Sequence, residues 1–97
     1  MGTYIMLASL TDQGVRTVKE LPRWLQGSEQ LFRSMGAELR DVYLVMGPYD
    51  WVVIFEAPSD EVAAKLALAV GAQGNNRTQT LRAFGRAETL KLVEALP

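Results

Sequence analysis

The stretch YLVMGPYDWVVIFEA, residues 43–57, restricts this chain more than any other. Two apolar runs rich in β-branched and aromatic residues flank Gly47-Pro48, the pattern of a hairpin with no helix between its strands. Gly and Pro at the two central positions suit a tight two-residue turn, giving strands over 38–46 and 49–57. A helical pattern lies on each side of the hairpin, and beyond each helix comes another strand.

Upstream, residues 3–10 (TYIMLASL) read as a strand ended by Thr11-Asp12-Gln13-Gly14. A helical stretch begins near Val15, breaks at Pro22 and runs to Met35. Leu25, Ser28, Leu31, Phe32 and Met35 share one face, and Gly36 supplies the stop. Downstream, Pro58-Ser59-Asp60-Glu61 opens a helix capped by Ser59, with Val62, Leu66, Ala69 and Val70 as its apolar stripe and Gly71 at its end. Residues 77–84 (RTQTLRAF) form the last strand, and Ala87 to Leu96 a terminal helix.

This order predicts one α+β domain over 1–97: a ferredoxin-like βαββαβ fold with a four-stranded antiparallel sheet and a C-terminal helix. Right-handed crossovers place both main helices on one face of the sheet and leave the other bare. A two-residue turn sets Leu44 opposite Trp51 and Val45 opposite Asp50. Val42, Leu44, Met46, Tyr49, Trp51, Val53 and Phe55 then lie under the helices. Asp41, Tyr43, Val45, Asp50, Val52, Ile54 and Glu56 lie on the bare face. That second set is too apolar to stand in water as a patch, so two sheets are expected to meet as a homodimer, a dimeric α/β barrel. The last strand, polar for its kind, reads as an edge.

Composition narrows the chemistry. Ten basic and eleven acidic residues are interspersed, for a net charge of −1, so no basic stripe offers itself to nucleic acid. The chain contains neither Cys nor His, which removes thiolate chemistry, the commonest general base and the commonest transition-metal ligand. No metal site and no cofactor are expected. No apolar run reaches a membrane span's length, and MGTYIMLASL lacks a basic leader, so a cytoplasmic protein is the expectation.

The turn Met46-Gly47-Pro48-Tyr49-Asp50, followed by an apolar strand and Glu56-Ala57-Pro58, resembles the GYD domain family, named for its Gly-x-Tyr-Asp turn. Thr11-Asp12-Gln13-Gly14 and the run Gly71–Phe84 resemble that family as well. Residues 22–33 depart from it, Trp24 standing where a basic residue is common, and no role is carried over there. The resemblance implies a ferredoxin-like, dimeric α/β-barrel fold. Wider fold relatives include cofactor-free monooxygenases, small isomerases and amino-acid-sensing domains, so fold alone does not select a function.

Three readings follow. The first is a homodimeric module that binds a small organic ligand in the sheet-face cleft, with Tyr43, Asp50, Glu56, Arg77, Thr80 and Arg82 as candidate contacts. The second is a cofactor-independent oxygenase or isomerase with Asp50 as base and Tyr43 or Arg82 steadying the developing anion. The third is a regulatory or structural assembly module. All but Thr80 also have a plainer role: Asp50 in fastening the turn, Tyr43 as a packed aromatic, Glu56 in pairing with a base, Arg77 and Arg82 as edge charges or ion-pair partners.

Overall fold

The computed structural model describes residues 1–97. The elements are β1 (Gly2–Leu10), α1 (Asp12–Arg16), a 3-10 turn (Val18–Glu20), α2 (Leu21–Ser34), β2 (Glu38–Leu44), β3 (Trp51–Ala57), α3 (Asp60–Ala72), β4 (Asn76–Ala83) and α4 (Arg86–Glu94). The four strands form one antiparallel sheet in the order β2-β3-β1-β4, consistent with a ferredoxin-like fold, and β4 is an edge as its polar sequence requires.

Local chemistry sets the element boundaries. Pro22 sits in the first turn of α2, where its missing N–H costs nothing. Ser59 caps α3 by accepting from the Val62 N–H at 3.2 Å, and Asp60 and Glu61 occupy the positive end of that helix. Residues of α2 and α3 cover the sheet face that carries Tyr4, Met6, Ala8, Trp51, Phe55 and Ala57, all buried. Phe55 is the centre of the core. It stacks on Tyr4 at 5.3 Å and meets Phe32 edge-on at 5.1 Å, while Leu66 of α3 is completely buried beside them.

The hairpin departs from the expected tight turn. The β2–β3 ladder ends at Leu44 and Trp51, one further bond runs from Val45 N–H to the Asp50 carbonyl at 2.8 Å, and Met46–Tyr49 form a wider loop. Gly47 takes a φ of +115° in that loop, a conformation side chains resist. The pairing of Leu44 with Trp51 and of Val42 with Val53 is as expected, but Arg40 forms a bulge between Leu39 and Asp41, so Leu39 faces Phe55. Leu44 and Met46 were expected under the helices and are instead 71% and 97% exposed, because the hairpin runs on past the helical layer. Tyr49 also leaves the core side and bonds to Gln79 on the bare face.

Two surfaces lack cover. On the bare sheet face Ile5, Leu7, Val52 and Ile54 are half-buried, with Tyr43 and Leu81 about half exposed at its flanks. Every residue of α4 is exposed, including Leu90, Leu92 and Val93. The radius of gyration, 14.6 Å, exceeds the roughly 12.5 Å of a compact chain this long, as a projecting tail helix demands.

Candidate functional site

Three loops converge where β1 ends, β4 begins and the β2–β3 hairpin turns. Thr11 ties two of them: its Oγ1 accepts from the Gly14 N–H at 3.0 Å and donates to the Gly74 carbonyl at 2.6 Å, and its own N–H donates to the Asn75 carbonyl at 3.0 Å. Gln13 Nε2 donates to the Gln73 carbonyl at 3.2 Å and to Asn75 Oδ1 at 3.0 Å. Gly14 is required by this closeness, since a Cβ there would lie 2.1 Å from the Asn75 carbonyl oxygen.

The hairpin loop is fastened to the same end. Asp50 donates its N–H to the Ala8 carbonyl at 2.9 Å, and its Oδ2 accepts from the Leu10 N–H at 2.8 Å. Ser9 Oγ donates to the Pro48 carbonyl at 3.2 Å, and Tyr49 donates its hydroxyl to Gln79 Oε1 at 2.9 Å. The stretches Thr11–Gly14, Gly47–Asp50 and Gly71–Asn76, far apart in sequence, thus form one rim.

Against this frame the candidate residues divide. Asp50 stands at the rim with a carboxylate oxygen engaged by backbone, so acting as a base would mean competing with that tie. Tyr43 and Arg77 are exposed on the bare-face side of their strands. Glu56 shares that face and accepts from Arg40 Nε, while Arg40 also lies 3.4 Å from Glu38. The bond to Glu56, then the charge of Glu38, push the Arg40 guanidinium above its usual range. Thr80 and Arg82 are on the other, helix-covered side, opposite Met6 and Tyr4. Arg82 lies over the rings of Tyr4 at 5.6 Å and Phe84 at 4.6 Å, pairs with Glu88 at 3.6 Å and donates to the Thr3 carbonyl at 3.3 Å. It clamps β1, β4 and α4 together. No single pocket holds all six residues.

Sequence reasoning did not single out Arg40, whose bulge gives it two acidic neighbours, nor the bond from the Tyr4 hydroxyl to Asp60 Oδ1. Alternation along β1 marks Tyr4 as core, and nothing local points to a partner 56 residues away. A cavity also lies on the helix-covered side of the sheet, away from the bare face. It measures about 70 Å³, sits between α2 and the sheet and is lined mainly by apolar side chains. No cluster of acidic side chains is placed to hold a metal ion, and no helix is long and apolar enough to cross a membrane.

The GYD domain model matches residues 4–93, which takes in the rim and all of the sheet but Gly2 and Thr3 at the start of β1. The chain belongs to the GYD domain family. A protein of Thermus thermophilus named "Glutamine synthetase and cystathionine beta-lyase binding protein" is similar to this GYD protein, with 35% identity over 91 residues, 93% of this chain and 96% of that one. The similarity therefore runs over nearly the full length of both chains. No solved structure matches this chain.

Proposed function

We propose that this GYD protein is a small regulatory binding module, a homodimer joined bare face to bare face, that docks on a larger enzyme. The observation that carries the reading is the uncovered sheet face: Ile5, Leu7, Val52 and Ile54 form a contiguous apolar surface that a lone chain leaves in water. A second copy supplies the matching surface by symmetry. The name of the Thermus relative supports a protein partner, and glutamine synthetase and cystathionine beta-lyase are the first partners to test.

In that dimer Tyr43, Arg77 and the Arg40–Glu56 pair border the seam, and this is the place for a small organic ligand between the sheets. The module works in the cytoplasm under this reading. Light scattering on the wild type and on Ile54→Glu tests the dimer: the wild type gives twice the chain mass, and the variant, with a buried charge at the seam, gives one. A wild-type monomer at high concentration overturns the dimer. Binding of purified glutamine synthetase or cystathionine beta-lyase, measured by surface plasmon resonance, tests the partner separately. Absence of binding to both removes these two enzymes as partners.

A further inference from the structure

We propose that α4 is an arm that lies on a second copy of this chain, against the tip of that copy's β2–β3 hairpin, and that the exchange is reciprocal. The inference rests on the bare-face dimer and says how its two copies are turned. Two apolar surfaces stand without cover outside the bare face. On α4 and just past it, Leu90, Leu92, Val93 and Leu96 are each more than half exposed, and the side-chain tie from this helix to the sheet is the Glu88–Arg82 pair at 3.6 Å. On the hairpin, Leu44 and Met46 are exposed as described above, and no charged residue falls between Asp41 and Asp50. A pliable methionine beside a leucine, free of charges, is suited to packing on an aliphatic helix.

The amount of open surface fits a second copy. The chain's accessible surface, 6632 Å², is about 1,100 Å² above the roughly 5,500 Å² of a compact 10.7 kDa protein. A stable interface of standard size takes about 800 Å² from each partner. The central residues of the bare face are already half-buried, so sheet on sheet accounts for only part of the excess. Topology supplies the rest of the pairing. α4 follows β4 at the end of the sheet where Ala83 pairs with Thr3, and the hairpin turns at the other end, beyond the pairing of Ala8 with Trp51. These ends are on the order of 20 Å apart along β1, so α4 does not cover its own hairpin. A two-fold axis running across the strands sets one sheet end for end on the other. Each α4 then comes to the partner copy's hairpin, and one operation covers both surfaces twice. A two-fold axis along the strands would instead bring the two α4 ends together, far from either hairpin.

The chain has no cysteine, so introduced ones report this contact alone. In Met46→Cys/Val93→Cys, mild oxidation is expected to join two copies, with a disulfide between positions 46 and 93 found by mass spectrometry. Neither single variant should cross-link to that extent, and adding Ile54→Glu to the double variant should abolish the link. Charges give a second reading at the same two exposed positions. Met46→Glu and Val93→Lys should each weaken the dimer at least fivefold by sedimentation equilibrium, and together they should recover most of that loss. A wild-type dimer with no link between 46 and 93, or with charge effects that simply add, overturns this inference and leaves the bare-face dimer standing. A wild-type monomer overturns both.

Discussion

The Leu10 N–H donates to Asp50 Oδ2 at 2.8 Å, so a side chain takes over the sheet's hydrogen bonding just past the last β1–β3 pair, Ala8 with Trp51. Asp50 thereby joins the hairpin loop to the strand that leads into the rim. Asp50→Ala leaves a partly buried N–H without an acceptor, and bonds to charged groups are worth about 1.5–3 kcal/mol. Asp50→Asn keeps an acceptor and loses only the charge, so its loss is smaller. Urea denaturation gives the ordering, wild type above Asn above Ala. Hydrogen exchange at Leu10 should accelerate in Asp50→Ala, and wild-type protection there would dismiss the tie.

Tyr4 gives a pH dependence with a definite sign. Its hydroxyl donates to Asp60, and that bond, followed by burial, raises its pKa above 10.0. The folded state therefore holds the phenol proton more tightly than the unfolded chain. The stability this contributes is fully present below about pH 10 and is lost as pH rises through the folded pKa. Stability measured from pH 9 upward should fall more steeply for wild type than for Tyr4→Phe. Identical alkaline profiles would show that the bond does not distinguish the two states.

Two glycines in helical segments should respond to Ala with opposite signs. At Gly14 the added Cβ meets the Asn75 carbonyl oxygen at 2.1 Å, and backbone cannot step aside cheaply. Overpacking of this kind costs about 1–3 kcal/mol, and here it also strains the Thr11–Asn75 bond. Gly27 is in the middle of α2 with nothing within 4 Å of its missing Cβ, so Gly27→Ala gains about 0.5–1 kcal/mol. Thermal unfolding of the two variants should bracket the wild type, and melting on the same side would contradict this packing.

The contrast between those glycines shows what the sequence made legible. Gly27 is visible as a weak point in a helical pattern because helix propensity is local. Gly14 looks like a loop residue, since its constraint comes from a carbonyl 61 residues onward. The same division runs through the fold and the site. Strand and helix order, the Ser59 cap, the β4 edge and the core-facing Phe32, Phe55 and Leu66 follow from periodicity and capping chemistry. The bulge at Arg40 and the reach of Tyr49 to Gln79 do not, because each is decided by how far the helical layer extends over the sheet and how the strands twist. Asp50 lies between these cases: its place beside the turn is local, but its partner Leu10 belongs to another strand. Thr80 and Arg82 could be set on a common strand face by alternation, while the side of the sheet that face meets depended on pairing with β1.

Thr80 carries the next test. Its Oγ1 is buried with no hydrogen-bond partner, opposite Met6 on the helix-covered side. Thr80→Val keeps the shape and removes the unsatisfied hydroxyl, so the substitution should be neutral or stabilising, by up to about 1 kcal/mol. That corresponds to a rise in Tm of at most about 4–8 °C for a domain of this size. A clear loss of stability would mean that the hydroxyl serves a partner in solution, and the seat of Thr80 beside β1 would then need to be revised.

The last test concerns α4, which the core does not need. Its exposed ion pair, Glu88 with Arg82 at 3.6 Å, is worth at most about 1 kcal/mol. A chain ending at Phe84 should therefore unfold in urea at nearly the wild-type midpoint when both are monomeric, as in the Ile54→Glu background. Leu90 and Val93 lie one turn apart on α4, each more than half exposed, with exposed Leu92 between them and Leu96 just past the helix end, and a helix so exposed gains from a second surface. In the proposed dimer that surface belongs to the other copy. Removing α4 should weaken the dimer at least tenfold by sedimentation equilibrium without unfolding the domain. Equal dimer affinity in the truncated chain would confine the interface to the sheet and leave α4 free for the larger partner.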